Sequence, residues 1–275
     1  MTIGFVTDST AYLPEDSVAQ FGIEVVPAHV LLDGQSYAET DLSISEVVTR
    51  LRNGSNITTS RPSAFDFSNA YERLRDQGFD EIVSVHVSSK LSGTYESALL
   101  AAQKSEIPVR VIDSSAVAMM MGFPLLGGIQ LAQSGADIDD VEDYIRFRCE
   151  QSQLIFAVDS IEFLERGGRI SPVQARIASR LSVKPLLEVR RGEIVLREIV
   201  RSTRNANFKL IDTIRGISRM AQHIAVHHVD APERGHFIAE QLRLRLGRPE
   251  IPLLPIGPAV GAHVGPGAVA VALSL

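Results

Sequence analysis

Four polar clusters carry most of the chemistry available to this chain. Thr58-Thr59-Ser60-Arg61-Pro62-Ser63 places hydroxyls just ahead of a helix start. Ser88-Ser89-Lys90-Leu91-Ser92-Gly93-Thr94 offers four hydroxyls, one ammonium and the amides of a second helix start. Such groups suit an anion, a carboxylate or a phosphate. Arg166-Gly167-Gly168-Arg169 sets two guanidinium groups around paired glycines, which permit positive φ or close backbone approach. A glycine- and proline-rich run from Gly257 to Ala268 carries one histidine, His263, near its centre. Taken singly, each cluster is also what a capped helix or a solvated loop would show.

The common catalytic signatures are missing. The chain has no Walker A sequence, no GxGxxG after a strand and no GxSxG elbow. Cys149 is the only cysteine, so neither an intrachain disulfide nor a cysteine metal cluster can form. His227 and His228 are adjacent on an expected strand and point to opposite faces, so they do not chelate as a pair. No metal and no cofactor is expected.

The elements that must position these groups alternate in the first half. Ile3 to Thr7 reads as a buried strand, followed by a helix opening at Pro14. Ile23 to Leu32 reads as one strand, with a turn at Asp33-Gly34. Ser43 with Glu46, and Ser63, read as helix caps. Strands at Ile82 to Val87 and Val109 to Ile112 are each followed by helices, reaching about residue 151. This alternation predicts a mainly parallel sheet with flanking helices, and ligands beyond the carboxyl ends of its strands. The second half reads as α+β: a hairpin around Arg190-Arg191-Gly192, helices at about 203–220 and 232–246, and further strands in a mixed or antiparallel sheet. The fold class is therefore α/β in two domains, 1–155 and 156–275.

Bulk properties narrow the function. Aromatic residues make up 6% and Trp is absent, so the apolar content is aliphatic. Residues 1–150 hold 10 Lys and Arg against 22 Asp and Glu, whereas residues 151–275 hold 17 against 11. The net charge of −6 argues against nucleic acid as a partner, while the second half offers a basic surface. The first residues lack signal-peptide character, and no apolar run approaches membrane-spanning length. A cytoplasmic protein is expected, with membrane contact no more than transient.

In this order the clusters resemble the DegV family over nearly the whole chain. The resemblance rests on Thr7-Asp8-Ser9-Thr10, Thr59-Ser60-Arg61-Pro62-Ser63 and Ser88 to Tyr95. It continues through Val111-Ile112-Asp113-Ser114, Gly167-Gly168-Arg169-Ile170-Ser171 and Gly261 to Ala268. It implies two α/β domains with a long-chain fatty acid in a tunnel between them. It further implies a carrier without turnover of its own, similar to fatty-acid kinase B subunits, which present the acid to an ATP-using kinase subunit for acyl-phosphate formation. By matching position, the carboxylate ligands would be Thr59, Ser92 and His263. Arg169 and Arg201 would act with the kinase partner and the transferred phosphate. Arg61 stands where the family often has Gln, and Val264 where it often has Thr. Both changes bear on chain preference and partner choice. Two other readings compete: a small-carbonyl-binding component of a dihydroxyacetone-kinase-like enzyme, with His263 on the carbonyl, and an acyl hydrolase using Ser92 and His263, for which no acidic orienting residue is evident.

Overall fold

The computed structural model describes residues 2–174 and 183–275. Its first sheet is four-stranded and parallel. It joins β1 (Ile3–Asp8), β2 (Glu24–Val26), β6 (Glu81–His86) and β7 (Val109–Asp113) in the order β2-β1-β6-β7. The strands are apolar and short, and helices cover both faces, as a parallel sheet requires. On one face Val6, Ile82 and Val111 pack with Phe67, Tyr71 and Leu74 of α3 (Ala64–Asp76) and with Ala98 of α4 (Thr94–Ala102). On the other, Phe5, Val83, Val85 and Ile112 belong to the core that includes Met121 and Leu125 of α5 (Met119–Gln133) and Ile145 of α6 (Ile138–Gln151).

The expected single strand over Ile23 to Leu32 is two strands. Only β2 joins the parallel sheet, and β3 (His29–Leu32) pairs elsewhere. Pro27 stands at the break, where it fixes φ and has no N–H to donate to a ladder. The next amide, Ala28 N, donates to Ser9 Oγ at 2.9 Å, so the chain turns back towards the end of β1. β3 forms a small antiparallel sheet with β4 (Gln35–Ala38) and β5 (Thr58–Ser60), in the order β4-β3-β5. Asp33 and Gly34 make its hairpin turn, both at positive φ (50° and 82°), the conformation for which Asp-Gly is suited. α1 (Glu15–Phe21) follows Pro14, and α2 (Ile44–Arg52) is capped by Ser43, whose Oγ accepts from Glu46 N at 3.1 Å.

Residues from 153 onward form a six-stranded sheet. It comprises β8 (Gln153–Ala157), β9 (Lys184–Arg190), β10 (Glu193–Val200), β11 (His223–His228), β12 (Leu253–Pro255) and β13 (Val269–Ser274), ordered β10-β9-β8-β13-β11-β12. All its pairings are antiparallel except β11 with β12. α8 (Thr203–Ile217) and α9 (Pro232–Leu246) bury one face through Leu210, Ile211, Ile214, Ile238 and Leu242. The opposite face turns Leu154, Phe156, Leu187 and Val189 towards the core shared with α5 and α6. Two short helices, α7 (Glu162–Arg166) and α10 (Pro258–Val264), lie beside α2 and the small sheet. No helix among the described residues is long and apolar enough to cross a membrane.

Candidate ligand-binding site

Between the six-stranded sheet and the ends of the first-half elements lies a cavity of about 450 Å³. Its walls are largely aliphatic, with Leu154, Val189, Ile194, Val229, Ile256 and Ala270 among them. The volume falls in the range of small-molecule sites. Thr59, Ser92, His263 and Arg169 all line it.

Thr59 lies on β5, opposite Val30 of β3. The segment is pinned just beyond it by a reciprocal cap on α3. Ser63 Oγ accepts from Asp66 N (3.2 Å), while Asp66 Oδ2 accepts from Ser63 N (2.7 Å). Arg61 reaches across to donate to the Gly93 carbonyl at 3.1 Å, tying this segment to the second polar loop. A Cβ at residue 93 would come within 2.3 Å of the Arg61 guanidinium, so a larger residue there would displace that side chain.

The second loop divides its polar groups. Ser88 donates to the Gly192 carbonyl (2.8 Å) and Ser89 to Asp113 (2.6 Å), and Lys90 pairs with Glu193 at 3.2 Å. These three serve the architecture. Ser92 and Thr94 line the cavity and share a hydrogen bond of 2.8 Å.

His263 comes from α10. Its Nε2 shares a 2.7 Å hydrogen bond with Thr59 Oγ1, and its Nδ1 rests against Gly167, where a Cβ would stand 2.2 Å from that nitrogen. Burial, then the neighbouring Arg169 charge, pushes the His263 pKa down to about 4. The imidazole is therefore neutral near pH 7. Arg169 donates to the Leu91 and Gly167 carbonyls and forms no ion pair among the described residues; burial lowers its pKa too. The amino end of α10 is held from the first half of the chain. Glu39 Oε2 accepts from Ala259 N at 2.9 Å and from Tyr12 OH at 3.2 Å, and Val260 N donates to Tyr12 OH at 3.2 Å. Burial above all raises the Glu39 pKa.

One cavity wall thus brings together two hydroxyl-bearing residues, a neutral imidazole and a guanidinium with no ion pair among the described residues. That set can accept one carboxylate: with His263 Nε2–H donating to Thr59 Oγ1, the hydroxyls of Thr59 and Ser92 are left to donate to its oxygens, and one cation offsets its charge. Arg201 is not part of it. It is exposed at the end of β10 and does not line the cavity. Ala28, Val117 and Ala118 line the cavity, whereas Met119, Met120 and Met121 are buried in the core outside its lining. Several lining residues were not singled out from sequence as ligand contacts, Thr10, Ser60 and His227 among the polar ones. The alternation rule applied to His227-His228 already put one of the pair on the inner face. His227 lines the cavity, and His228 Nδ1 instead accepts from Ala231 N at 3.2 Å.

A second constellation has the residue types of a hydrolase. Asp8 Oδ2 lies 3.1 Å from His86 Nδ1, and His86 Nε2 lies 2.7 Å from Ser84 Oγ. All three residues are fully buried and none lines the cavity, so no substrate reaches the serine. Ser84 also meets Tyr71 OH at 3.0 Å, and Asp8 accepts from Val87 N at 3.0 Å. The network fastens the carboxyl ends of β1 and β6 together.

Fold and cavity define a class: an α/β protein with a parallel sheet, a mixed sheet and an apolar chamber headed by hydroxyls, an imidazole and a guanidinium. The DegV family profile matches residues 2–275, and the chain belongs to the DegV family. It is 38% identical to a DegV domain-containing protein of Streptomyces coelicolor, covering 99% of this chain and 98% of that one. It is 36% identical to one of Mycobacterium tuberculosis, covering 100% and 98%. Among solved structures it superposes on a fatty-acid-binding DegV family protein of Thermus thermophilus with a TM-score of 0.91, at 31% identity and full coverage of both chains. DegV of Bacillus subtilis, a fatty-acid-binding protein, gives 0.90 at 29% identity, covering 100% of this chain and 99% of that one.

Proposed function

We propose that this protein binds one long-chain fatty acid in the cavity and presents its carboxylate to a separate ATP-using kinase subunit, without turnover of its own. The observation that carries the reading is the convergence of Thr59, Ser92, His263 and Arg169, which has no ion pair among the described residues, on one largely aliphatic chamber. A bound acyl chain gains roughly 0.8 kcal/mol for each methylene removed from water. Its carboxylate would be costly to bury unpaired, and these groups pair it. The fatty-acid-binding proteins of Thermus thermophilus and Bacillus subtilis, alike in fold and about 30% identical, support the same ligand.

In this reading Thr59, Ser92 and His263 hold the carboxylate. Arg169, beside His263, meets the charge that develops as a phosphoryl group is added. Arg201, exposed and away from the chamber, touches the partner instead of the acid. The aliphatic walls favour an acyl chain over a small polar carbonyl compound. Native mass spectrometry of the purified chain, followed by denaturing extraction, tests the reading. A bound mass that extracts as a long-chain fatty acid is the expected outcome. A mass that stays that of the bare chain after fatty acids are offered would overturn it.

A further inference from the structure

The chamber adjoins a second cavity, of about 800 Å³. Two residues line both spaces: Leu154 of β8 and Val189 of β9. They stand directly opposite each other in the β8–β9 ladder, so their side chains lie side by side on one face of the sheet. Both are buried, in the core that also holds Met120 and Cys149. A residue that borders both spaces is all that separates them at that point. The segment between β7 and α5 also runs between the two. Its Val117 and Ala118 line the chamber, whereas Ser114 and Ser115 line the second cavity, as does Met120 in the first turn of α5.

The two spaces differ in chemistry. The chamber is largely aliphatic, and Thr59, Ser92, His263 and Arg169, which meet the carboxylate end, line it alone. The second cavity is ringed by charge, with Lys90, Arg146, Glu150, Glu188, Arg190 and Arg191 in its lining. All of these except Glu188 are exposed, so the space is open to water. Each methylene that leaves water for apolar surroundings tightens binding roughly fourfold. Carbons that crossed from the chamber into the charged space would forfeit much of that gain.

We infer that Leu154 and Val189 are the chain-length stop of the chamber: the terminal methyl of the bound acid rests against this pair, and longer acids are rejected there. The inference rests on the fatty-acid reading above and names the residues that decide which acids the chamber selects. Up to the pair, every added methylene leaves water. At the pair, one more must displace two side chains held in a packed core, and overpacking of that kind is unfavourable. A single surplus methylene in an apolar pocket is discriminated by roughly tenfold or more. Shortening either side chain to a methyl group opens the partition and relieves the clash.

The test is a length series. Straight-chain saturated acids, lengthened one carbon at a time, compete for the purified wild type, Leu154→Ala and Val189→Ala. Wild-type affinity should climb roughly fourfold per methylene to a limiting length and drop roughly tenfold at the next. In the variants the limit should move to a longer acid. A limit that stays in place in both, or a wild-type affinity that climbs through the series without one, overturns the inference and leaves the carrier reading standing. Failure of every acid to bind removes the carrier reading, and this inference with it. Should neither variant fold, photolabelling of the wild type decides. An acid of limiting length, with a diazirine at its terminal carbon, should crosslink to Leu154, Val189 or Ile194, the residue opposite Val189 on β10. Crosslinks confined to another wall, at Val229 or Ile256, would put the chain end elsewhere and reject the stop.

Discussion

The functional meaning of a residue in this molecule depends on which partners its neighbours have already taken. Ser88, Ser89, Ser92 and Thr94 lie within one short loop. The first two spend their hydroxyls on Gly192 and Asp113, and only the latter two reach the chamber. Replacing Ser92 or His263 by Ala should therefore weaken fatty-acid binding by about 1–3 kcal/mol each, the cost of a lost bond to a charged group. Calorimetric titration would measure this, with circular dichroism confirming an intact fold. Buried histidines also give a pH dependence of stability. His227 titrates at about 4 in the folded chain against an ordinary 6.5. Between those values the unfolded chain binds more protons, so stability falls as pH drops through that window. For fully buried His227 the loss approaches roughly 3 kcal/mol by pH 4. Denaturation followed from pH 7 to pH 4 should show it, and His227→Leu should flatten the slope.

Single elements act here as holders of one side chain. α10 is a single short helix, and its anchorage comes from Glu39 and Tyr12, far away in the chain. Glu39→Ala would strand the Ala259 amide and the Tyr12 hydroxyl. It should cost about 1–3 kcal/mol of stability, and should weaken fatty-acid binding because the helix also carries His263. Glu39→Gln keeps an acceptor oxygen and should recover much of both. Thermal denaturation and titration of the two variants would check this.

Elements were also the scale at which the sequence was most legible. The alternation of strand and helix, the Asp33-Gly34 turn and the caps at Ser43 and Ser63 follow from local chemistry, and the chain obeys it. The division at Pro27 was less legible, because an apolar run conceals which sheet each half will join. Thr59, Ser92 and His263 come from three separate segments, and the motifs named them through a family resemblance; only tertiary packing puts them in one cavity wall. The Glu39 anchor left no local signal, since a glutamate after a hairpin resembles any surface acid.

At the scale of the whole molecule, the two large sheets do not have separate interiors. One apolar cluster runs from Phe5 and Val85 of the parallel sheet through Met121 and Ile145 to Leu154, Phe156 and Val189 of the mixed sheet. Polar ties cross the same boundary at Ser88 with Gly192 and at Lys90 with Glu193. Separate melting of the two halves would tear this shared core apart. Unfolding should accordingly be one cooperative transition, with calorimetric and van't Hoff enthalpies equal. Two resolved transitions would contradict that description. A bound acid that contacts both sides should raise the single midpoint in proportion to the logarithm of its concentration.

The contact between Gly167 and His263 binds the history of two distant positions together. A methyl group at 167 would overlap the imidazole, so any lineage that keeps the ring must keep a bare α-carbon opposite it. A mutational path that fills position 167 first passes through a displaced ring. The order of change is therefore one-way: residue 263 must shrink before residue 167 can grow, and the glycine serves as a ratchet on the binding site.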